Sequence, residues 1–277
     1  MRIYLMSALL ATSLVVGKST FAVPEAPDTA KAPEVPATVT KTTPDTVIKK
    51  APEVPAAVTK IVKQLQKLLK AEADKVSVTA SPVPGLYEVV IGGEVIYAAT
   101  DSNGKGYFLA GNLYESESRR NLTDERRSGL RAAAFKKEVK EADTVVFAPK
   151  GKTEYTVNVF TDVDCGYCRK IHNEVPELNK NGVKVRYLAF PRAGVGSKTY
   201  KTMVSVWCAE DQQQAMTDAK AGSEVKSATC NNPVESQYEL GQRVGITGTP
   251  ALVLSDGELI PGYVPAKRLI ARLQQKK

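Results

Sequence analysis

A β-rich run, Tyr155-Thr156-Val157-Asn158-Val159-Phe160, leads through Thr161-Asp162-Val163-Asp164 into Cys165-Gly166-Tyr167-Cys168, and Arg169-Lys170-Ile171-His172 follows at once. A strand that delivers a Cys-x-x-Cys to the start of a helix narrows the fold more than any other feature of the chain. The free N–H groups and the dipole of a helix N-terminus favour negative charge, so a thiol placed there ionises readily. The second cysteine stands one turn along the same face, close enough to form a disulfide with the first. Cys165 is therefore the candidate nucleophile and Cys168 the candidate resolving thiol. Asp164 works against the thiolate, and the sequence does not say which effect is larger.

Two other readings of the motif compete. A Cys-x-x-Cys can be half of a zinc site, but Cys208 and Cys230 are too far apart in sequence to form the second tight pair of a zinc ribbon. An inert structural disulfide fits poorly with so tight a loop at a helix N-terminus. Four cysteines and a single histidine among 277 residues also leave little for a His-rich metal enzyme or a Ser-His-Asp hydrolase. Nothing in the sequence requires a metal or an organic cofactor.

Residues 1–22 carry Arg2, then an apolar run from Ile3 to Gly17, then small residues Thr20 and Ala22 around Phe21. This reads as an export signal, too short for a comfortable membrane span. Without Arg2 and Lys18 the net charge falls from +8 to +6. The remaining basic residues alternate with acids, as in Glu125-Arg126-Arg127, and form no stripe interleaved with aromatics. They read as solvated surface, not as a nucleic-acid interface.

Residues 23–55 are rich in Pro, Ala, Thr and Lys, and Ala32-Pro33-Glu34-Val35-Pro36-Ala37 recurs as Ala51-Pro52-Glu53-Val54-Pro55-Ala56. Two proline-rich copies without a stackable apolar face read as a disordered spacer. Order begins near Ala56. Val58, Ile61, Val62, Leu65, Leu68 and Leu69 recur at helical spacing, which predicts a helix over 57–72. Tyr87–Ile91 and Glu94–Ala98 flank Gly92-Gly93 as a hairpin, and Asp101-Ser102-Asn103-Gly104 turns the chain before Gly106–Ala110. A unit of one helix and a short meander, spanning 56–115, has a thin core. It must pack on a neighbour or pair through an exposed strand edge with a second copy. Residues 122–142 then predict a mixed-charge connecting helix within a linker at 116–145. Asn121-Leu122-Thr123 also matches a glycosylation sequon, relevant only to a eukaryotic secretory route.

Together, FTDVDCGYCRKIH, VKVRYLAFPRAG, VWCAEDQQQA and GITGTPALVLSDGELIPGY resemble the DsbC/DsbG family of periplasmic disulfide isomerases over roughly residues 57–277. The Cys-Gly-Tyr-Cys dithiol is similar to that of DsbC-like members; DsbG-like members resemble Cys-Pro-Tyr-Cys. The resemblance implies a V-shaped homodimer with a periplasmic location. Each chain would carry a small α+β, cystatin-like dimerisation domain, a linker helix, and a thioredoxin-like domain at 146–277. Apolar cleft walls would hold misfolded, disulfide-containing exported proteins, and a membrane thiol reductant of the DsbD type would keep the dithiol reduced. Gly166 and Tyr167 form the active-site loop. Pro250 is cis beside the dithiol, and Thr249 before it offers backbone hydrogen bonds to an extended substrate.

The residues themselves agree with an α/β catalytic unit. Val183–Phe190 is a continuous apolar-leaning strand, Ala251–Leu254 and Glu258–Ile260 flank Asp256-Gly257 as a hairpin, and Val264–Leu273 closes as a helix. A helical insertion at 197–245 carries Cys208 and Cys230. With Cys165 and Cys168 paired by proximity, these two pair with each other, and closing that loop is worth roughly 3 kcal/mol. Their role reads as structural, a second redox pair being the competing reading. His172 lies about 10 Å along the helix from Cys165 and is assigned to packing or solvent. Val159 stands where ordinary thioredoxins carry a buried acid, so proton transfer to Cys168 must use water or another group. The expected activity is thiol–disulfide isomerisation with some chaperoning; a reductase or oxidase for a dedicated partner, or a holdase, are the alternatives.

Overall fold

The computed structural model describes residues 54–69 and 76–276. The segment read as an export signal, 1–22, and the segment read as a spacer, as far as residue 53, lie outside the described residues.

Helix α1 (Ala56–Leu69) presents Val58, Ile61, Val62 and Leu65 as one buried stripe. The stripe packs on Val89, Ile91, Ile96 and Ala98, which share one face of a four-stranded antiparallel meander. Its strands are β1 (Val76–Ala80), β2 (Leu86–Ile91), β3 (Glu94–Thr100) and β4 (Gly106–Leu109). Gly92 and Gly93 both take positive φ, +58° and +91°, which sets Ile91 opposite Glu94 in a two-residue hairpin. The sequence missed β1, in which Val76, Val78 and Ala80 alternate with Ser77 and Thr79 and most residues are exposed at the sheet edge. At the opposite edge every residue of β4 is exposed.

The second face of the meander, Val90, Val95 and Tyr97, is covered by Leu113 and by Leu130 of helix α2 (Leu122–Glu138). Tyr97 Oη and Thr123 Oγ1 share a 2.6 Å hydrogen bond there. The sequon residue Asn121 is the N-cap of α2, its side chain accepting from the Asp124 N–H. The helix stops at Glu138, not at 142, because Val139 turns extended and residues Glu141–Asp143 form a separate 3-10 turn. α2 is not a free connector. Its Phe135 packs edge-on against Phe160, and Arg131 Nε donates to the Gly257 carbonyl at 2.7 Å.

The remaining strands form a five-stranded sheet ordered β5-β7-β6-β8-β9: β5 (Val145–Phe147), β6 (Tyr155–Thr161), β7 (Val183–Ala189), β8 (Ala251–Val253) and β9 (Leu259–Pro261). Only β6 and β7 run parallel. One face, with Val157, Val159, Tyr187 and Leu252, lies under α3 (Gly166–Asn173), α4 (Val175–Lys180), α5 (Lys198–Trp207), α6 (Gln212–Ala221) and α8 (Ala266–Gln274). The other, with Phe160, Leu188 and Val253, lies under α7 (Val234–Arg243) and α2. Strand–helix–strand, then hairpin and helix, is the anticipated thioredoxin-like order. The edge strand β5 was not anticipated, because three residues are too few to show a period.

Candidate active site

β6 ends at Thr161, and the turn that follows is organised by Asp162. Its carboxylate is 2% exposed; Oδ1 accepts from the Asp164 N–H at 2.7 Å, and Oδ2 accepts from Arg192 N and Nε at 2.9 and 3.1 Å. The Cys165 N–H donates to the Asp162 carbonyl, so the turn is closed from both sides. It delivers Cys165 as the N-cap of α3, where Sγ accepts from the Cys168 N–H at 3.4 Å. Cys208 and Cys230 are joined to each other, whereas Cys165 and Cys168 are free thiols.

From across the sheet, the loop before β8 brings the cis Thr249–Pro250 peptide to the dithiol. The Thr249 carbonyl lies 3.3 Å from Cys165 Sγ. The Thr249 hydroxyl is buried without a hydrogen-bond partner, and it acts to lower both thiols. A donor held without an acceptor at rest gains one when a thiolate forms. Burial pushes the Cys165 thiol up, but the hydroxyl of Thr249, the N–H of Cys168 and the charge of Arg192 together outweigh it. Cys165 therefore titrates below its ordinary value. Cys168, fully buried, titrates above it because desolvation dominates.

The opposing effect anticipated for Asp164 is absorbed locally. Its carboxylate accepts from Thr199 Oγ1 and lies 3.7 Å from Arg169. Tyr167 is 64% exposed and stacks on Tyr263, whose ring also carries the Lys170 ammonium 4.6 Å from its centroid. Gly166 has open space where a Cβ would stand. The structure thus gathers Cys165, Gly166, Tyr167, Cys168, Thr249 and Pro250 in one place, with Cys208 and Cys230 apart in the helical insertion. His172 is buried one turn further along the same face of α3 as Cys168, bonded to Tyr187 Oη at 3.0 Å and Thr217 Oγ1 at 3.2 Å.

Four residues at the site were not singled out in the sequence: Thr161, Asp162, Arg192 and Lys220. The first three sit inside the quoted motifs but carry no spacing signal of their own. Lys220 did carry one. It falls on the apolar stripe of α6 with Ala215, Met216 and Ala219, where a charge is out of place.

A family model described as "Disulfide bond isomerase protein N-terminal domain" matches residues 26–124, reaching into the proline-rich segment, and one described as "Thioredoxin-like domain" matches 140–277. Thiol:disulfide interchange protein DsbC of Salmonella typhimurium is 38% identical over 214 residues, covering 76% of this chain and 85% of the relative. The chain belongs to the DsbC family of thiol:disulfide interchange proteins. The Escherichia coli K12 DsbC is 37% identical over 205 residues, covering 74% and 83%. A solved disulfide interchange protein from Neisseria gonorrhoeae is 28% identical, covering 49% of this chain and 99% of its own, with a TM-score of 0.44. Membership fits the geometry: of the two buried thiols, Cys165 is lowered in pKa and Cys168 is raised, which suits the first to attack and the second to resolve.

Proposed function

We propose that this chain is a periplasmic protein disulfide isomerase working through Cys165 and Cys168. The observation that carries the reading is Cys165 at the N-cap of α3, its thiol lowered in pKa and set against the Thr249–Pro250 loop. The Cys165 thiolate attacks one sulfur of a wrong disulfide, forming a mixed disulfide and releasing the other sulfur as a thiolate. That thiolate attacks another disulfide of the substrate, and the final attack on the mixed disulfide frees Cys165 unchanged. Alternatively Cys168 attacks Cys165 Sγ, and the substrate leaves reduced. The second branch leaves an oxidised enzyme, so a membrane reductant of the DsbD type is required to return the dithiol.

Thr249 and Pro250 form the wall beside which an extended substrate lies, and exposed Tyr167 supplies an apolar surface for it. The substrates are misfolded, disulfide-containing exported proteins, and weak apolar binding of this kind supports chaperoning as well. The domain at 56–115 pairs two chains through the β4 edge, where Tyr107, Phe108 and Leu109 are all exposed. The 116–145 segment, with α2 at its centre, carries the catalytic domain at 146–277. The Cys208–Cys230 bond staples the helical insertion.

The experiment is refolding of a scrambled multi-disulfide protein with the wild type, Cys165→Ala and Cys168→Ala. Cys165→Ala loses isomerisation entirely, and Cys168→Ala retains part of it while its mixed disulfides persist. Isomerisation by Cys165→Ala at the wild-type rate overturns the mechanism.

A further inference from the structure

Val159 leaves the dithiol without the buried acid of ordinary thioredoxins, and the space beneath Cys168 holds a cation instead. Lys220 reaches in from α6 and is only 3% exposed. Its Nζ donates to Thr161 Oγ1 at 2.7 Å and stands 5.2 Å from the centroid of the Tyr187 ring. Thr161 accepts that bond, which leaves its own O–H to reach the Cys168 sulfur. The charged groups that face Lys220 are Cys168, Cys165 and Arg169 on α3, and Asp162 on the β6–α3 turn. His172 on α3 also feels its charge, and Tyr187 on β7 lies under it.

A buried ammonium needs a counter-charge. Among the described residues no carboxylate lies within ion-pair distance of Nζ, and the nearest acid, Asp162, is already held by Arg192. The groups left to balance the ammonium are the thiolates. Desolvation also lowers Lys220 to about 8, so it stays largely charged at neutral pH while remaining sensitive to what forms beside it.

We infer that Lys220, acting through Thr161 and through its charge, is a positioning residue that holds Cys168 ready to ionise and so governs how fast mixed disulfides are resolved. In that step Cys168 gives its proton to solvent and its thiolate attacks Cys165 Sγ. The Cys165–Cys168 bond forms, the bond from Cys165 to substrate breaks, and the departing sulfur takes up a proton. Two electrons pass from the dithiol to the substrate. In the oxidised enzyme the ammonium faces an uncharged disulfide, which disfavours that state. Lys220 therefore makes the couple more oxidising and shortens the time available for the isomerising branch.

The inference rests on the roles proposed for Cys165 and Cys168, but its test reads Cys168 without turnover. In a Cys165→Ser background Cys168 is the one free thiol, and its ultraviolet thiolate absorbance is followed against pH with and without Lys220→Met. The midpoint rises by about one pH unit or more in Lys220→Met, and Lys220→Arg, which keeps the charge, restores part of the difference. In the intact dithiol, Lys220→Met shifts the glutathione equilibrium towards the disulfide, and mixed disulfides live about tenfold longer for each such unit, because the Cys168 thiolate fraction falls by that factor. Met matches the length of Lys without its charge, so folding is retained. Should it fail, Thr161→Val removes the connecting hydroxyl at constant shape and must also raise the midpoint. An unmoved midpoint in a folded variant overturns the inference, whatever the refolding assay shows of isomerisation.

Discussion

The Thr249 carbonyl sits 3.3 Å from Cys165 Sγ, although 84 residues separate them in the chain. The same residue holds a buried, unpartnered hydroxyl that acts to lower both thiols. Thr249→Val keeps the shape and deletes that donor. A charge-assisted hydrogen bond is worth roughly 1.5–3 kcal/mol, so the Cys165 thiol rises by about one pKa unit or more and alkylation at neutral pH slows about tenfold. Stability should hold or improve, because the resting protein loses only an unsatisfied polar atom. Iodoacetamide rates against pH decide it: a profile that does not move would show that the hydroxyl has no part in stabilising the thiolate.

Much of this site was legible because it depends on local order. The dithiol, the strand before it and the helix after it are contiguous, and periodicity with capping logic suffices to place Cys165 at a helix N-terminus. The Cys208–Cys230 bond followed from pairing the other two cysteines. What escaped was what only packing creates. Lys220 is 55 residues from Cys165, and nothing local announces that α6 lays it under the dithiol. β5 is short and is defined by its partner β7, not by a pattern of its own. The end of α2 was misjudged because helical residues continue past Glu138, while the chain is turned by contacts made elsewhere.

The seat of α2 on the catalytic domain depends on the absence of a side chain. Gly257 has φ +82°, and a Cβ there would stand 1.9 Å from the Ser128 carbonyl oxygen. Gly245 has φ +83° with nothing within 4 Å, which makes it a control for the backbone term alone. Gly245→Ala should cost about 1–2 kcal/mol, the left-handed penalty by itself. Gly257→Ala carries that penalty and also forces α2 outward, breaking the Arg131 bond to the Gly257 carbonyl. It should lose clearly more stability in urea unfolding and expose α2 to limited proteolysis. Equal losses in the two variants would mean that α2 yields without strain.

His172 makes stability depend on pH in a defined window. Thr217 Oγ1 donates to the Gln213 carbonyl, so it accepts from His172 Nε2, and Nδ1 is left to accept from Tyr187. Burial, and then the charge of Lys220, depress the imidazole from 6.5 to about 4. The unfolded chain thus binds a proton between pH 6.5 and about 4 that the folded chain refuses, and stability falls as pH drops through that window. The full effect is at most about 3 kcal/mol. Replacement by glutamine, His172→Gln, should flatten the dependence between those limits while leaving the alkaline limb unchanged. Urea midpoints measured across pH 4–7 that keep the wild-type slope in the variant would assign the loss to another group.

The outer edge of β4 is the place where the small N-terminal domain can find its missing partner. β3 already pairs with one side of β4, β4 is the last strand of its sheet, and Tyr107, Phe108 and Leu109 are exposed on its two faces. An uncovered edge of this kind invites a second strand. Phe108→Lys puts a charge, with its hydration, into the centre of that edge without touching the core packed around Val89 and Ile96. Sedimentation should then show the mass falling from two chains to one while the circular dichroism of the fold is retained. Exchange with a small disulfide should continue in the monomer, because the dithiol draws no residue from this domain. A variant that remains dimeric would move the interface to another surface of the chain.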